Sequence, residues 1–509
     1  GGHGLSAATE VGLRGRKGID RDPLLRYPGP QKKLGAGAGT RDAEKTRLAC
    51  ASQHARNPYE IRGAMNRQAA TCNGLERRVK DLQFDTVEDP RVAKKVTLPL
   101  PTLLTALVAA MVTRTRSLRA VEQRTAQMAR KLGSWMGLVR RIADNTFGKV
   151  LPRLRLADLV ACLHRLIKAE HRRGNLKPTM LPVGTVAIDG KNVATLRWHD
   201  LCRVLELEPA KATFTQVKTL LAERHPQAQL CIPEHGMPYG LMRVHTVTLI
   251  SSNAALCVHQ RPIPGHTNEN GAMPDLIEEL KAAYGRTALF ALLTTDAGNT
   301  SLGAASLIVQ ADWNYFAQIK SVHGELYAEA KRVLGKQPEA RADESYSDKQ
   351  NGRMITYHVW RYDLTDQGWL GWTHARQLVR VQRTAEDPHT GETSVGNRYY
   401  VTSMTTDELS PTVALKISRG HWRCENETHW TSDAELQEDR RRHAWSRHPN
   451  GVLVVSVIRM MALAILAVAR RLSRMDHCRR ETPSWTQVAE HFLLELCGSI
   501  LQTEAFDNA

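Results

Sequence analysis

The chain has 509 residues, 42% of them hydrophobic and 24% charged, a balance ordinary for a packed globular protein and one that excludes a mostly disordered chain. Seventy Lys and Arg against 52 Asp and Glu leave a formal charge of +18, which is silent about fold but favours a polyanionic partner such as nucleic acid or an anionic membrane surface. At roughly 150 residues per domain, the length suggests two to four domains.

Residues 1–85 are rich in Gly, Arg, Lys, Ala and Pro with little apolar periodicity, and read as a flexible basic arm. The opening GGHGLSAATE has no apolar segment of a signal peptide and no initiating Met, so the chain reads as incomplete or processed. Over 86–180 the pattern is helical. Leu103, Leu104, Leu107 and Met111 recur at three- and four-residue steps, followed by Trp135, Leu138 and Ile142, then Leu156, Leu159, Val160 and Leu163. Arg114, Arg116, Arg119, Arg124, Arg130, Arg140 and Arg141 decorate these helices, as either a DNA-facing surface or a solvated arginine face.

The texture changes over 181–320. TVAIDG (185–190) is a β-branched run ending in an Asp-Gly turn, and a polar, helix-like insert follows at about 197–226. Strands are expected at 241–250 and 255–263, separated by a Ser251–Ser252–Asn253 turn, then a helix over 273–285 with Gly285 as its C-cap. A strand at 287–296, a helix at 299–312 and a strand at 313–320 imply a right-handed crossover and a parallel pair. From 321 to 409 that alternation stops, and 355–362, 375–384 and 397–404 alternate like half-exposed antiparallel strands of an inserted β-rich domain. In 410–475, Ser410–Pro411 has the form of an N-cap and first-turn proline opening a helix through about Trp430, and a second helix spans about 450–474. Its run from Gly451 to Ala469 is nearly long enough to cross a bilayer. Arg459 in the middle would cost about 2.5–3.5 kcal/mol at that depth and no second span accompanies it, so it reads as a buried core helix. Residues 476–509 form a tail.

The nine cysteines are scattered, without a Cys-x-x-Cys pair, and fit buried thiols in a reducing compartment better than a disulfide framework or a zinc cluster. Three acids stand out by position. Asp189 closes the first strand, Asp296 closes the fourth, and Glu425 sits mid-helix on a face shared with Ser418, His421, Trp422 and His429. Carboxylates at neighbouring strand ends repel one another unless a divalent cation compensates, and Mg²⁺ suits hard oxygen ligands and phosphate chemistry. Equally, strand-terminal Asp residues are common turn formers, and Glu425 can be a surface glutamate beside two incidental histidines.

The ordered blocks AIDGK (187–191), RVHTVT (243–248), TNEN (267–270) before a proline-led helix, TTDAG (294–298), NGRMITYHVWRY (351–362), NRYYVTSM (397–404) and HWRCENETHW (421–430) resemble bacterial insertion-sequence transposases of the DDE type, in the branch with a β-rich insertion before the glutamate. ELQEDRRRH (435–443) and DPRVAKKVTLPLPTLLTALVAAMV (89–112) are similar too, so the resemblance covers roughly residues 86–475. It implies an α/β fold: a ribonuclease H-like mixed sheet with flanking helices, a mainly antiparallel β insertion and an N-terminal helical, DNA-binding domain.

It also implies that Asp189, Asp296 and Glu425 bind two Mg²⁺ or Mn²⁺ ions for cleavage and strand transfer of double-stranded DNA. The expected setting is a homodimer on DNA, in the bacterial cytoplasm at the nucleoid, without a membrane. Lys191, Arg243, Lys320, Arg419, His421 and His429 are the candidate DNA contacts. The chain departs from the family at Asn192–Val193–Ala194, Ser301, Val322–His323 and Ser432, and the insert at about 195–235 has no counterpart. The competing readings are a non-catalytic DNA-binding protein derived from a transposase and a carboxylate-pair glycosidase; the latter explains neither the charge nor the basic helices.

Overall fold

The computed structural model describes residues 74–130, 135–364, 370–372, 374–438, 445–476 and 482–497. Most of the expected basic arm, 1–73, therefore lies outside the described residues. Its end does not behave as an arm: a helix over 74–81 buries Leu75 and Val79. Four further helices follow, α1 (Leu100–Val112), α2 (Leu118–Ala129), α3 (Asp144–Val150) and α4 (Leu156–Arg172). Ten of the 13 residues of α1 are buried, as a helix apolar on every side requires. Part of the arginine face turns back on the protein, with Arg114 paired to Glu435 and Arg141 to Glu122.

Among the described residues ten strands form one mixed, mostly antiparallel sheet. They are β1 (Thr185–Arg197), β2 (Ala228–Cys231), β3 (Tyr239–Leu249), β4 (Leu256–Pro262), β5 (Leu292–Thr295), β6 (Asn314–Ile319), β7 (Glu344–Gln350), β8 (Arg353–Asp363), β9 (Gln377–Glu386) and β10 (Thr393–Thr402). The order is β2-β3-β1-β5-β6-β10-β9-β8-β7, with β4 also paired to β3. Only β1–β5 and β5–β6 are parallel. The helices between and after the strands are α5 (Trp198–Val204), α6 (Phe214–Arg224), α7 (Met273–Tyr284), α8 (Leu302–Gln310), α9 (Gly324–Leu334), α10 (Pro411–His421), α11 (Trp430–Leu436), α12 (Pro449–Asp476) and α13 (Trp485–Cys497). The insert after β1 thus folds as α5, α6 and β2, around a small core of its own that includes Trp198, Leu201, Val217 and Leu221.

The sheet separates two larger cores. Val186, Ile188 and Leu293 join α4, α7, α8 and α12 on one face, and Ala187, Leu292 and Phe316 join α10 on the other. The apolar run of α12 is wholly buried in the protein, long and apolar enough though it is to cross a membrane. Ser410 accepts the Val413 N–H and Pro411 opens α10, as the sequence suggests.

Three expectations need correction. The segment 321–409 is not free of helix: Leu326, Ala330 and Leu334, four residues apart, bury one side of α9. Nor do its strands form a sheet apart, because β10 pairs antiparallel with β6 and continues the same sheet. The helix expected from Pro411 to Trp430 is broken, α10 giving way to a π-helical turn, Cys424–His429, before α11.

Candidate active site

The register Ala187↔Thr294 between parallel strands carries Asp189 level with Asp296, two residues further on each chain. Side chains alternate along a strand, so both acids share the α10 face with Ala187 and Thr294, on strands about 4.8 Å apart. Asp189 Oδ1 accepts the Gly190 N–H at 2.9 Å, while Oδ2 faces His429 Nδ1 at 3.5 Å and Cys424 Sγ at 3.9 Å. Asp296 Oδ1 accepts both the backbone N–H and the side-chain amide of Asn299, at 3.0 and 2.8 Å. The amide oxygen of Asn299 meets His245 Nε2 at 3.0 Å, so Asp296 is oriented through two further buried side chains.

Glu425 stands in the π-helical turn, a local widening of the helix that re-aims side chains and recurs at functional sites. It is exposed, yet it belongs electrostatically to the same group. Burial, then Glu425, Asp296 and Glu269 in that order, hold the Asp189 carboxyl well above the usual carboxylate range. Asp189 and Asp296 are thus level on neighbouring strands, Glu425 lies within electrostatic reach of Asp189, and so does a fourth acid.

That fourth is Glu269, in the turn before α7. Burial and Asp296 push its carboxyl up, against a smaller opposing effect of Arg243. The sequence held a signal for it in the block TNEN, which closes on the same end of the sheet, and in the glycines at 190 and 298, just after each Asp. Asn299, His245 and Glu438 are also absent from the sequence-derived set.

Most of the expected DNA contacts turn inward. Lys191, expected to reach a phosphate, is enclosed, its ammonium donating to Asp433 and Glu438 at 2.8 Å each and approaching the His429 carbonyl at 3.4 Å. Glu438 in turn accepts from Ser432, Ser456 and Arg459, at 2.6, 2.8 and 3.2 Å. His421 and His429 are buried, and burial above all lowers their pKa values to about 4 and about 3, so both rings are neutral near pH 7. His421 Nδ1 lies 3.4 Å from Thr294 Oγ1, and His429 Nε2 2.6 Å from Thr246 Oγ1. Arg243 donates to the Thr267 carbonyl at 2.7 Å, beside Glu269. Arg419 stacks on Tyr357 and Tyr346, with ring-centre distances of 4.9 and 5.4 Å, and lies 3.9 Å from Asp348. Of the six, Lys320 alone is exposed.

The donor set suits a hard divalent cation: four carboxylates, neutral imidazoles and Arg243 as the neighbouring cation. Among the described residues, no three His, Cys, Asp or Glu side chains converge tightly enough to ligate one ion as they stand.

No family model matches the chain, and neither does any curated protein. Among solved structures, it is similar to a piggyBac transposase synaptic complex with hairpin DNA. That likeness has a TM-score of 0.38 and 10% identity, over 82% of this chain and 76% of that one.

Proposed function

We propose that the chain is a DDE-type DNA transposase of a bacterial insertion sequence, cutting and joining double-stranded DNA with divalent metal. The observation that carries this reading is the placement of Asp189 and Asp296 level with each other at the ends of two parallel neighbouring strands, with Glu425, from a turn more than 100 residues further on, among the acids that raise the Asp189 carboxyl. An antiparallel edge, β4-β3-β1, continued by the parallel β5 and β6 with helices on both faces, fits the ribonuclease H-like core implied by the sequence. The +18 charge suits a DNA partner, and the protein acts as a homodimer at DNA ends in the bacterial cytoplasm.

When bound, one or two Mg²⁺ or Mn²⁺ ions supply the charge that activates an attacking oxygen and stabilises a leaving one in phosphoryl displacement. Asp189, Asp296 and Glu425 would hold them. The chain's own work is positioning. Gly190 and Asn299 fix the two aspartates from the backbone and the adjoining turn, so their outer oxygens need no reorganisation. His421 and His429 stay uncharged, wall the acids from the protein interior and offer them no compensating proton near neutrality.

A plasmid bearing the DNA that flanks the coding region provides the test. The wild-type chain is expected to nick it with Mg²⁺ or Mn²⁺ and not with chelator, and Asp296→Asn to lower the rate about a thousandfold or more while DNA binding persists. Binding without any Asp296-dependent nicking would replace this reading with that of a non-catalytic DNA-binding protein.

A further inference from the structure

We propose that the cavity between α4, β4 and α7 binds a small apolar carboxylate. It stands apart from the strand-end acids, none of which lines it.

The cavity measures about 790 Å³, within the range of small-molecule sites, and α4 supplies much of its wall. Residues three and four apart share one side of a helix, and along this side α4 changes character. Ala157, Val160 and Ala161 line the cavity toward the N-terminal end of the helix; His164, Arg165 and Lys168 line it toward the C-terminal end. Pro262 of β4 and Ala283 of α7 add further apolar surface. A ligand that fills this space is apolar over most of its body and polar at one end.

The polar end is cationic. Glu279, the single acid among the lining residues, is already engaged: its Oε1 accepts from Arg261 Nε at 2.8 Å, and its Oε2 lies 3.0 Å from His259 Nε2. Arg165 donates to the Leu82 and Gln83 carbonyls and to the Thr86 hydroxyl, and the Lys168 ammonium lies 5.7 Å from the centre of the Tyr284 ring. Neither cation has an acid partner among the described residues. The two imidazoles add no charge to them. His259 is wholly buried, with its Nδ1 2.9 Å from His164 Nε2, and burial above all lowers the His164 pKa to about 3. Two half-buried cations beside an apolar wall complement an apolar anion. A singly charged carboxylate fits better than a phosphate, whose stronger hydration opposes enclosure.

The test titrates the full chain with 2-naphthoate, followed by naphthalene fluorescence, and with the uncharged 2-naphthamide, which has the same apolar body. The carboxylate is expected to bind at least about tenfold more tightly, the worth of one charge-assisted hydrogen bond. Lys168→Gln should remove that preference and leave the amide affinity unchanged. Ala161→Trp, at a half-buried position, fills the apolar end and should weaken both ligands. If the tryptophan variant does not fold, Lys168→Gln alone carries the test. Equal affinity for the two ligands in the wild type, or an undiminished preference for the carboxylate in Lys168→Gln, would overturn the site. Failure of the wild type to bind either ligand would overturn it as well.

Discussion

Two groups of buried charge meet on β1, two residues apart, and they are built on opposite principles. Around Lys191, every acid has a cation. Burial drives the Glu438 carboxyl up, yet Lys191, Arg459 and their hydrogen bonds outweigh it and hold the group well below the usual range. Around Asp189 the nearest charges are three more acids, and burial and repulsion act in the same direction. The first group locks β1, α11 and α12 together; the second gathers like charges at the end of the sheet. The same sheet end thus holds one acid surrounded by cations and another raised by further acids.

The contrast gives its largest effects in stability. Glu438→Ala takes from buried Arg459 the carboxylate it shares with Lys191, leaves Lys191 with Asp433 alone, and should cost about 3–5 kcal/mol, the usual penalty for breaking one side of a buried ion pair. Asp189→Asn removes a repelling charge, so its metal-free melting temperature should equal or exceed that of the wild type. Thermal melts of the two variants side by side decide the matter. Comparable destabilisation of both would erase the distinction between locked and like-charged acids.

A smaller effect separates the groups by pH. An unfolded imidazole gains its proton near pH 6.5, whereas native His421 and His429 resist until about 4 and about 3. Between those limits the unfolded state binds more protons, so stability is lost as pH falls, by about 2 kcal/mol per ring at pH 5. Asp189 runs the other way. Its raised carboxyl gives the native state the extra proton, and its contribution improves as pH falls toward the ordinary carboxylate range. Melting temperature should therefore drop from pH 7 to pH 5, less steeply in His429→Gln and more steeply in Asp189→Asn. An unchanged slope in both would mean that neither group titrates as its burial requires.

Legibility in the sequence follows the same division. The strands carrying Asp189 and Asp296 were readable because β-branched or apolar runs end in turn residues, and local pattern suffices for that. The π-helical turn was not readable, since widening a helix by one residue leaves the spacing of His421, Glu425 and His429 looking like ordinary helix. β7, ESYSDKQ, has no apolar alternation and exists through its register with β8. Lys191, a candidate phosphate contact two residues past a strand-end acid, turns inward instead. Its partners, Asp433 and Glu438, lie more than 240 residues away, a distance at which composition and period say nothing.

The smallest effect concerns which cations meet DNA. Neutralising Z phosphates gives a log–log salt slope of about −0.9Z, so losing one contact changes the slope by roughly one and affinity only modestly. Lys320 directly follows β6, the next strand beyond β5, and is exposed, whereas His421 is neutral and buried near Asp296. If the exposed cations at this end of the sheet track the DNA backbone, Lys320→Ala should shallow the salt dependence by about one unit. His421→Gln should leave it unchanged, because a neutral ring releases no counterion. Fluorescence anisotropy across a salt series reads both slopes. A reduced slope in the His421 variant would show that the ring is charged in the complex and that DNA rebuilds this side of the site, shrinking the boundary between the locked and like-charged regions.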